Sequence, residues 1–383
     1  MIAIGLMSGT SLDGIDAALV EINPRGASYA FELIDFGTVP YDRETVDALK
    51  SIMPPNDGST SAVAHMHHHV GELYAEAAAR VAGTRKIDYA AMHGQTVYHD
   101  GERAITLQLG SPYFLRDRLH ATVCFDFRSA DCALGGHGAP LVPYVDSLLL
   151  TSPDEDRIAI NIGGIANLTF LPRAATPEHA IAFDCGPGNM LIDAFLQERT
   201  ANEKTFDEDG AIATRGTVDR AALDRMLADP YFFQVLPKST GRERFGSQFL
   251  LAEHAAVMQA LTLEDGAATL TELTAVTIAD AVRQLAPAGC AVLVSGGGAY
   301  NTSLMKRLRE RLSEYRVETT TDMDLRSDAK EAIAFALLGY ETLRERPANL
   351  PRVTGASAQA VLGAIVPYEF DSLGRRVQAE CAG

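Results

Sequence analysis

The sequence predicts an α/β protein of two domains, each a mixed sheet flanked by helices, with the active-site cleft between them. Three observations carry that expectation. The chain has 383 residues, more than a single hydrophobic core usually supports. Short apolar runs of strand length alternate along it with longer runs of helical period. One order of elements also occurs twice: three strands with a glycine-rich first turn, then alternating helix and strand. The two halves share this pattern without obvious sequence identity. The expected division is a first domain over 1–150 and a second over 151–383, with the tail able to pack back on the first.

In the first half, residues 1–7 (MIAIGLM), 15–22 and 31–36 read as strands. A helix over 43–53 stops at Pro54-Pro55. A longer one over 61–81 places Val63, Met66, Val70, Leu73 and Ala77 on one stripe. A short buried strand over 87–92 is expected to end at His93-Gly94-Gln95. A helix over 114–119, a strand over 121–125 and an apolar helix over 141–150 follow. After the polar break at 151–156 the pattern restarts with strands at 157–162, 166–171 and 180–184, and Gly163-Gly164 takes the place that Gly9 and Gly14 held. Helices are expected at 189–200, 217–228, 249–261, 270–285, 301–315 and 329–345, with strands at 290–295 and 316–319. Beyond Pro347 no clear pattern emerges.

Composition excludes several classes. A formal charge of −17 argues against a nucleic-acid or anionic-membrane surface, which needs a basic stripe. It leaves room for a small anionic ligand held by backbone N–H groups and a metal. Five cysteines without a CxxC pair read as reduced thiols in a cytoplasmic protein. The N-terminus lacks a basic region before its apolar stretch, so no signal peptide is expected, and no run is long enough for a membrane helix. GxxxxGK[ST], GxSxG and HExxH are absent, and Leu191 stands where the third glycine of GxGxxG would be. His65 and His69 are an i, i+4 pair, but they lie on an amphipathic helix and read as solvent-facing.

Three glycine loops carry the candidate chemistry. In LMSGTSLDGIDAALVEI (6–22), Gly9 and Gly14 allow close backbone approach, and Ser8, Thr10 and Ser11 add hydroxyls. Successive N–H groups there can cradle an anion, and Asp13 suits a hydrated Mg²⁺ carried by a phosphate. A plain hairpin with an Asp-Gly turn is the competing reading. In the second half, Asn161–Asn167 is another glycine turn, and Asp184-Cys185-Gly186-Pro187-Gly188-Asn189 ends a strand and opens a helix with free N–H groups. Asp184 is either a strand-end active-site carboxylate or a helix cap. Ser295-Gly296-Gly297-Gly298 offers bare backbone for a flat adenine or ribose, or is a flexible connection.

The wording of these segments goes further. In order, GLMSGTSLDGIDAAL, MHGQTVYH, FDFRSADCALGGHGAPLVP, NIGGIANLT, FDCGPGNMLID and SGGGAYN resemble the motif series of anhydro-N-acetylmuramic acid kinases. They span residues 5–301, and SDAKEAIAFALL (327–338) is similar to a late helix of that family. The resemblance implies the ribonuclease H-like ATPase fold shared by actin, hexokinases and heat-shock chaperone ATPases. It also implies a reaction: ATP and water open the 1,6-anhydro ring of anhydro-N-acetylmuramic acid, giving N-acetylmuramic acid 6-phosphate and ADP for cell-wall recycling.

By the same resemblance, Asp184 is the general base for the attacking water. Gly9, Thr10, Ser11, Leu12, Asp13, Gly14, Ile15 and Asp16 would hold the phosphates and metal, with Asp13 reaching Mg²⁺ through water. Gly163, Gly164, Asn167, Gly186, Gly188, Gly296, Gly297, Gly298 and Asn301 would complete the nucleotide site. His93, Gln95, Thr96, Arg128 and Glu331 would line the sugar side, Arg128 as a bidentate partner for the lactyl carboxylate. One departure stands at His137, where the family pattern GGQGAPL has glutamine. Another sugar kinase of this fold, or a non-catalytic nucleotide-binding module, are the alternatives. The expected partner is a small sugar, with neither nucleic acid nor membrane, and a homodimer is the base-rate oligomer.

Overall fold

In the computed structural model, which describes residues 1–25, 28–236, 238–246, 248–323 and 326–381, the apolar run that opens the chain becomes strand β1 (Ile2–Ser8). Alternation along it decides two packing faces. Ile4 and Leu6 join Met66, Val70, Tyr74 and Ala77 of the helix Thr60–Ala82 in one core. Gly5, between them, faces the helix Lys330–Leu343, where an added Cβ would sit 1.9 Å from the Ala332 carbonyl oxygen. No side chain larger than hydrogen lets that helix lie so close.

The chain divides into two units, Met1–Leu149 with Ala329–Gly383, and Leu150–Asp328. The segment that returns to the first unit therefore begins at Ala329 and includes the helix Lys330–Leu343, a larger piece than the tail alone.

In the first unit, β1 pairs antiparallel with β2 (Gly14–Arg25), and β2 with β3 (Ser28–Pro40). On its other side β1 pairs parallel with β4 (Tyr89–Asp100). Strand β5 (Ile105–Leu109) folds back on β4, and β6 (Thr122–Phe125) lies parallel to it. A short C-terminal strand, Ala364–Val366, closes the seven-stranded sheet against β6. Strand β4 does not end at His93 as expected. It runs on to Asp100 because Gly94, at φ 83°, is accommodated inside the strand, where the ladder to β1 shifts register. The helix of His65–His69 presents His65, His67 and His68 to solvent as expected, whereas His69 is half-buried, with its Nε2 3.1 Å from the Thr45 hydroxyl.

The second unit repeats the antiparallel start. Strands β7 (Arg157–Ile162), β8 (Ile165–Leu171) and β9 (Ile181–Pro187) form a meander, and β10 (Ala291–Ser295) and β11 (Arg316–Thr319) add parallel strands in the order β11-β10-β7-β8-β9. Ile158, Ile160 and Ile162 pack with Ala275, Ile278 and Val282 of the helix Leu263–Leu285 and with Leu304 and Leu308 of Thr302–Arg311. That long helix starts well before the expected residue 270, because the Thr262 side chain accepts from the Asp265 N–H at 3.0 Å and caps it. The expected helix over 249–261 is broken at His254 into a π turn and a short α-helix. Among the described residues no helix is long and apolar enough to cross a membrane.

Candidate functional site

The first candidate loop, between β1 and β2, is held from behind. Ser8 is buried, with its Oγ 2.7 Å from the Tyr74 hydroxyl. The buried Gln95 side chain donates through Nε2 to the Gly9 carbonyl at 3.1 Å and accepts through Oε1 from the Tyr41 hydroxyl at 3.2 Å. Leu12 N–H closes the turn onto Gly9 O at 3.3 Å, and Tyr41 N–H takes Asp13 O at 3.3 Å. Leu12 adopts φ 62° and buries its side chain, and Ile15 lies in the core, so both could meet a ligand only through main chain. Gly14, at φ 153°, lies where a Cβ would come 2.3 Å from the Val39 carbonyl. Thr10, Ser11 and Asp13 remain exposed, and Asp16 accepts from the Thr38 hydroxyl at 2.6 Å.

A divalent ion is compatible with this loop in one manner. Among the described residues no group of three His, Cys, Asp or Glu could cage a metal. Mg²⁺ keeps several waters and takes one or two carboxylates with substrate phosphates, a donor set that suits the exposed Asp13 acting through water.

Farther along β4, His93 and Arg128 form an unusual pair. Arg128 donates from Nε to His93 Nε2 at 2.8 Å and from Nη1 to Gly138 O at 2.7 Å. The imidazole must therefore be neutral with its proton on Nδ1. Burial and then the Arg128 charge hold His93 well below its ordinary pKa, against a weaker pull from the carbonyls of Gly94 and Ser8. His93 Nδ1 is buried without a hydrogen-bond partner. Burial also lowers Arg128 to about 10, with Glu331 pulling the other way, so its cation persists at neutral pH. Glu331, in the first turn of Lys330–Leu343, is pushed up by burial and, less strongly, by Asp16, against Lys330 and Arg128. Next to it, Lys330 pairs with Asp146 at 2.8 Å, both buried. Thr96 accepts from Gln108 Nε2 at 3.2 Å.

The loop after Arg128 depends on a residue that motif reading passed over. Asp131 is fully buried and accepts from Gly138 N–H at 2.8 Å, Asn349 Nδ2 at 2.8 Å and the Thr354 hydroxyl at 2.7 Å. It ties the loop 135–138 to the C-terminal segment. His137 itself is exposed, with its N–H on Thr354 O at 2.8 Å.

In the second unit, Asp184 lies within β9, paired across from Asn167 on β8. It is not a helix cap: Asn189 occupies that place before Met190–Arg199. Its carboxylate Oδ2 accepts from the Ser239 hydroxyl and from the Thr240 N–H, each at 2.9 Å. No motif pointed to these donors, although Ser239-Thr240-Gly241 has the same hydroxyl-glycine composition as the first loop.

The glycines beside it gather at the end of β7. Gly188 N–H and Met190 N–H donate to Gly164 O at 2.8 and 3.1 Å, and Asn189 N–H to Gly163 O at 2.8 Å. The helix-start donors expected to be free are thus used within the chain. Gly186, at φ 148°, packs against the Phe232 ring. Gly296, at φ 82°, and Gly298 fit against Asn161 and Ile162, where Cβ atoms would come within 2.6 and 2.3 Å, while Gly297 is exposed. Asn301 is buried, and its Oδ1 accepts from Leu304 N–H at 2.9 Å, capping Thr302–Arg311.

Known proteins match this chain throughout. The family model described as "Anhydro-N-acetylmuramic acid kinase" matches residues 1–368. An anhydro-N-acetylmuramic acid kinase of Caldanaerobacter subterraneus subsp. tengcongensis is 39% identical, over 95% of this chain and 96% of its own. One of Salinibacter ruber is 42% identical, over 94% and 95%. Among solved structures, an activator of 2-hydroxyisocaproyl-CoA dehydratase from Clostridium difficile with bound ADPNP aligns at 12% identity and a TM-score of 0.44, over 88% of this chain and 93% of that one. On its match to the family over nearly its whole length, the chain belongs to the anhydro-N-acetylmuramic acid kinases.

Proposed function

We infer that the chain catalyses the ATP-dependent hydrolytic opening and 6-phosphorylation of 1,6-anhydro-N-acetylmuramic acid, in the cytoplasm, as a step of cell-wall recycling. The observation that carries this reading is the family match over residues 1–368. Side-chain chemistry supports it. The neutral His93 supplies a buried N–H donor, and the Arg128 guanidinium a fixed cation for a sugar-acid carboxylate. Glu331, its pKa raised by burial, can meet a sugar hydroxyl either as donor or as acceptor.

In the proposed step, water attacks C1 and loses its proton to the Asp184 carboxylate. The C1–O6 bond breaks, and O6 takes the γ-phosphoryl group as ADP leaves. Capture of O6 by phosphorus replaces the carboxylic acid that an ordinary glycosidase would need there. Main chain at the half-buried Gly9 and the exposed Thr10 and Ser11 would position the triphosphate, and a bound Mg²⁺, held through Asp13 and water, would neutralise its charge. Gly163, Gly164, Gly188 and Gly296–298 would shape the nucleotide side, chiefly through main chain.

The test is ADP release with both ligands and with each alone. Release is expected only when anhydro-sugar and Mg–ATP are both present. Asp184→Asn should fold normally and lose at least ~100-fold in kcat. Steady ADP release without sugar would remove the assignment, and normal turnover by Asp184→Asn would remove that residue from its role.

A further inference from the structure

We propose that Ser239, with the main-chain N–H of Thr240, positions the Asp184 carboxylate and keeps it ionised for proton abstraction; this rests on the role of Asp184 inferred above. Strand β9 is an edge of its sheet, where main-chain groups lack a neighbouring strand. Tyr231, Lys238, Ser239 and Thr240 supply partners instead. Asp184 N–H donates to Lys238 O at 3.0 Å, and the Tyr231 hydroxyl donates to Asp184 O at 2.7 Å. With the backbone pinned on both sides, Ser239 Oγ and Thr240 N converge on Oδ2.

Two consequences follow for a base. Donors on one oxygen fix the plane of the carboxylate, and so the direction in which a water must lie. They also favour the charged form, the only form able to take a proton. Other polar groups lie along the same segment. The Lys238 ammonium bonds to Tyr231 O at 3.0 Å and Phe232 O at 3.3 Å. The buried Cys185 thiol is pushed up first by burial and then by Asp184 itself. Tyr231 adds its hydroxyl, and Asn167 faces Asp184 across the ladder. Ser239 is exposed, so removing its hydroxyl leaves no cavity and should not disturb the fold. Its effect on rate is therefore separable from any effect on stability.

The experiment measures kcat, KM and the pH profile of kcat for the full chain with anhydro-sugar and Mg–ATP, in Ser239→Ala and Ser239→Thr, with Asp184→Asn as control. Ser239→Ala should lower kcat roughly 10- to 100-fold, the scale of a lost charge-assisted hydrogen bond, and leave the sugar KM within about twofold. Its acidic limb should move to higher pH, because a carboxylate with one donor fewer holds its proton more tightly. Ser239→Thr, which keeps the hydroxyl, should restore both. An unchanged kcat or acidic limb in Ser239→Ala, or a loss that threonine does not rescue, overturns the proposal. If Asp184→Asn is inactive while Ser239→Ala behaves as the parent, only the positioning role falls. If Asp184→Asn turns over normally, the base assignment falls with it.

Discussion

The two glycine turns that open the two sheets look alike in sequence and differ in use of their main chain. Between β1 and β2, no hydrogen bond within the described chain takes the N–H groups of Thr10 and Ser11, and both residues are exposed. What fixes that loop comes from its rear, through carbonyls held by Gln95, Leu12 and Tyr41. Between β7 and β8 the loop is only Gly163-Gly164, and its carbonyls accept from Gly188, Asn189 and Met190. Open donors make the first turn available to an anion, whereas the second is a clasp that fastens a helix to a sheet. Glycine therefore belongs to a turn with open main-chain donors in one place and to chain packing in the other.

The largest way to break this comparison is Gly188→Ala. Its Cβ would meet the Gly163 carbonyl oxygen at 2.4 Å, backbone against backbone, and should destabilise by about 3 kcal/mol. A lower midpoint in urea unfolding would register it, and an unchanged midpoint would show the clasp to be loose. Gly9→Ala should do the reverse. Its Cβ would find nothing nearer than Ser11 Oγ at 3.5 Å, so stability should stay within about 0.5 kcal/mol. If the open turn grips phosphate, the KM for ATP should nevertheless rise about tenfold, ~1.4 kcal/mol. Equal KM values would place the triphosphate elsewhere.

The smallest effect concerns what stands behind the first turn. His93 is held neutral, its pKa well below the ordinary 6.5. A depressed pKa means that the unfolded chain binds a proton which the folded chain refuses, so stability is lost as pH falls below about 6.5. His93→Gln should flatten that part of the stability–pH curve, by about 1 kcal/mol at one pH unit below. An unaltered curve between pH 7 and 5 would contradict the neutral assignment.

Several elements were legible because one local rule governs them. The stripe on Thr60–Ala82 and the alternation of β1 needed only the periods of helix and strand. Others failed where a local rule was overridden. Gly94 reads as a strand breaker, yet it sits in β4 because β5 packs against it, with Leu109 O 2.8 Å from where a Cβ would be. Asn301 reads as a ligand-loop polar residue, and its helix-capping bond to Leu304 N–H was not foreseen. Asp131 lies inside a quoted motif, but its role was not legible there, because two of its three donors come from positions 349 and 354, far along the chain.

By itself the sequence determined the α/β class, the doubled order of elements and the family, since each is written in short-range period or in local wording. Tertiary structure alone decided which glycine N–H groups stay open, which tautomer His93 holds, and which donors meet Asp184. Those outcomes depend on partners brought together from distant positions, and hydrogen-bond geometry, unlike hydrophobic period, has no signature within one segment.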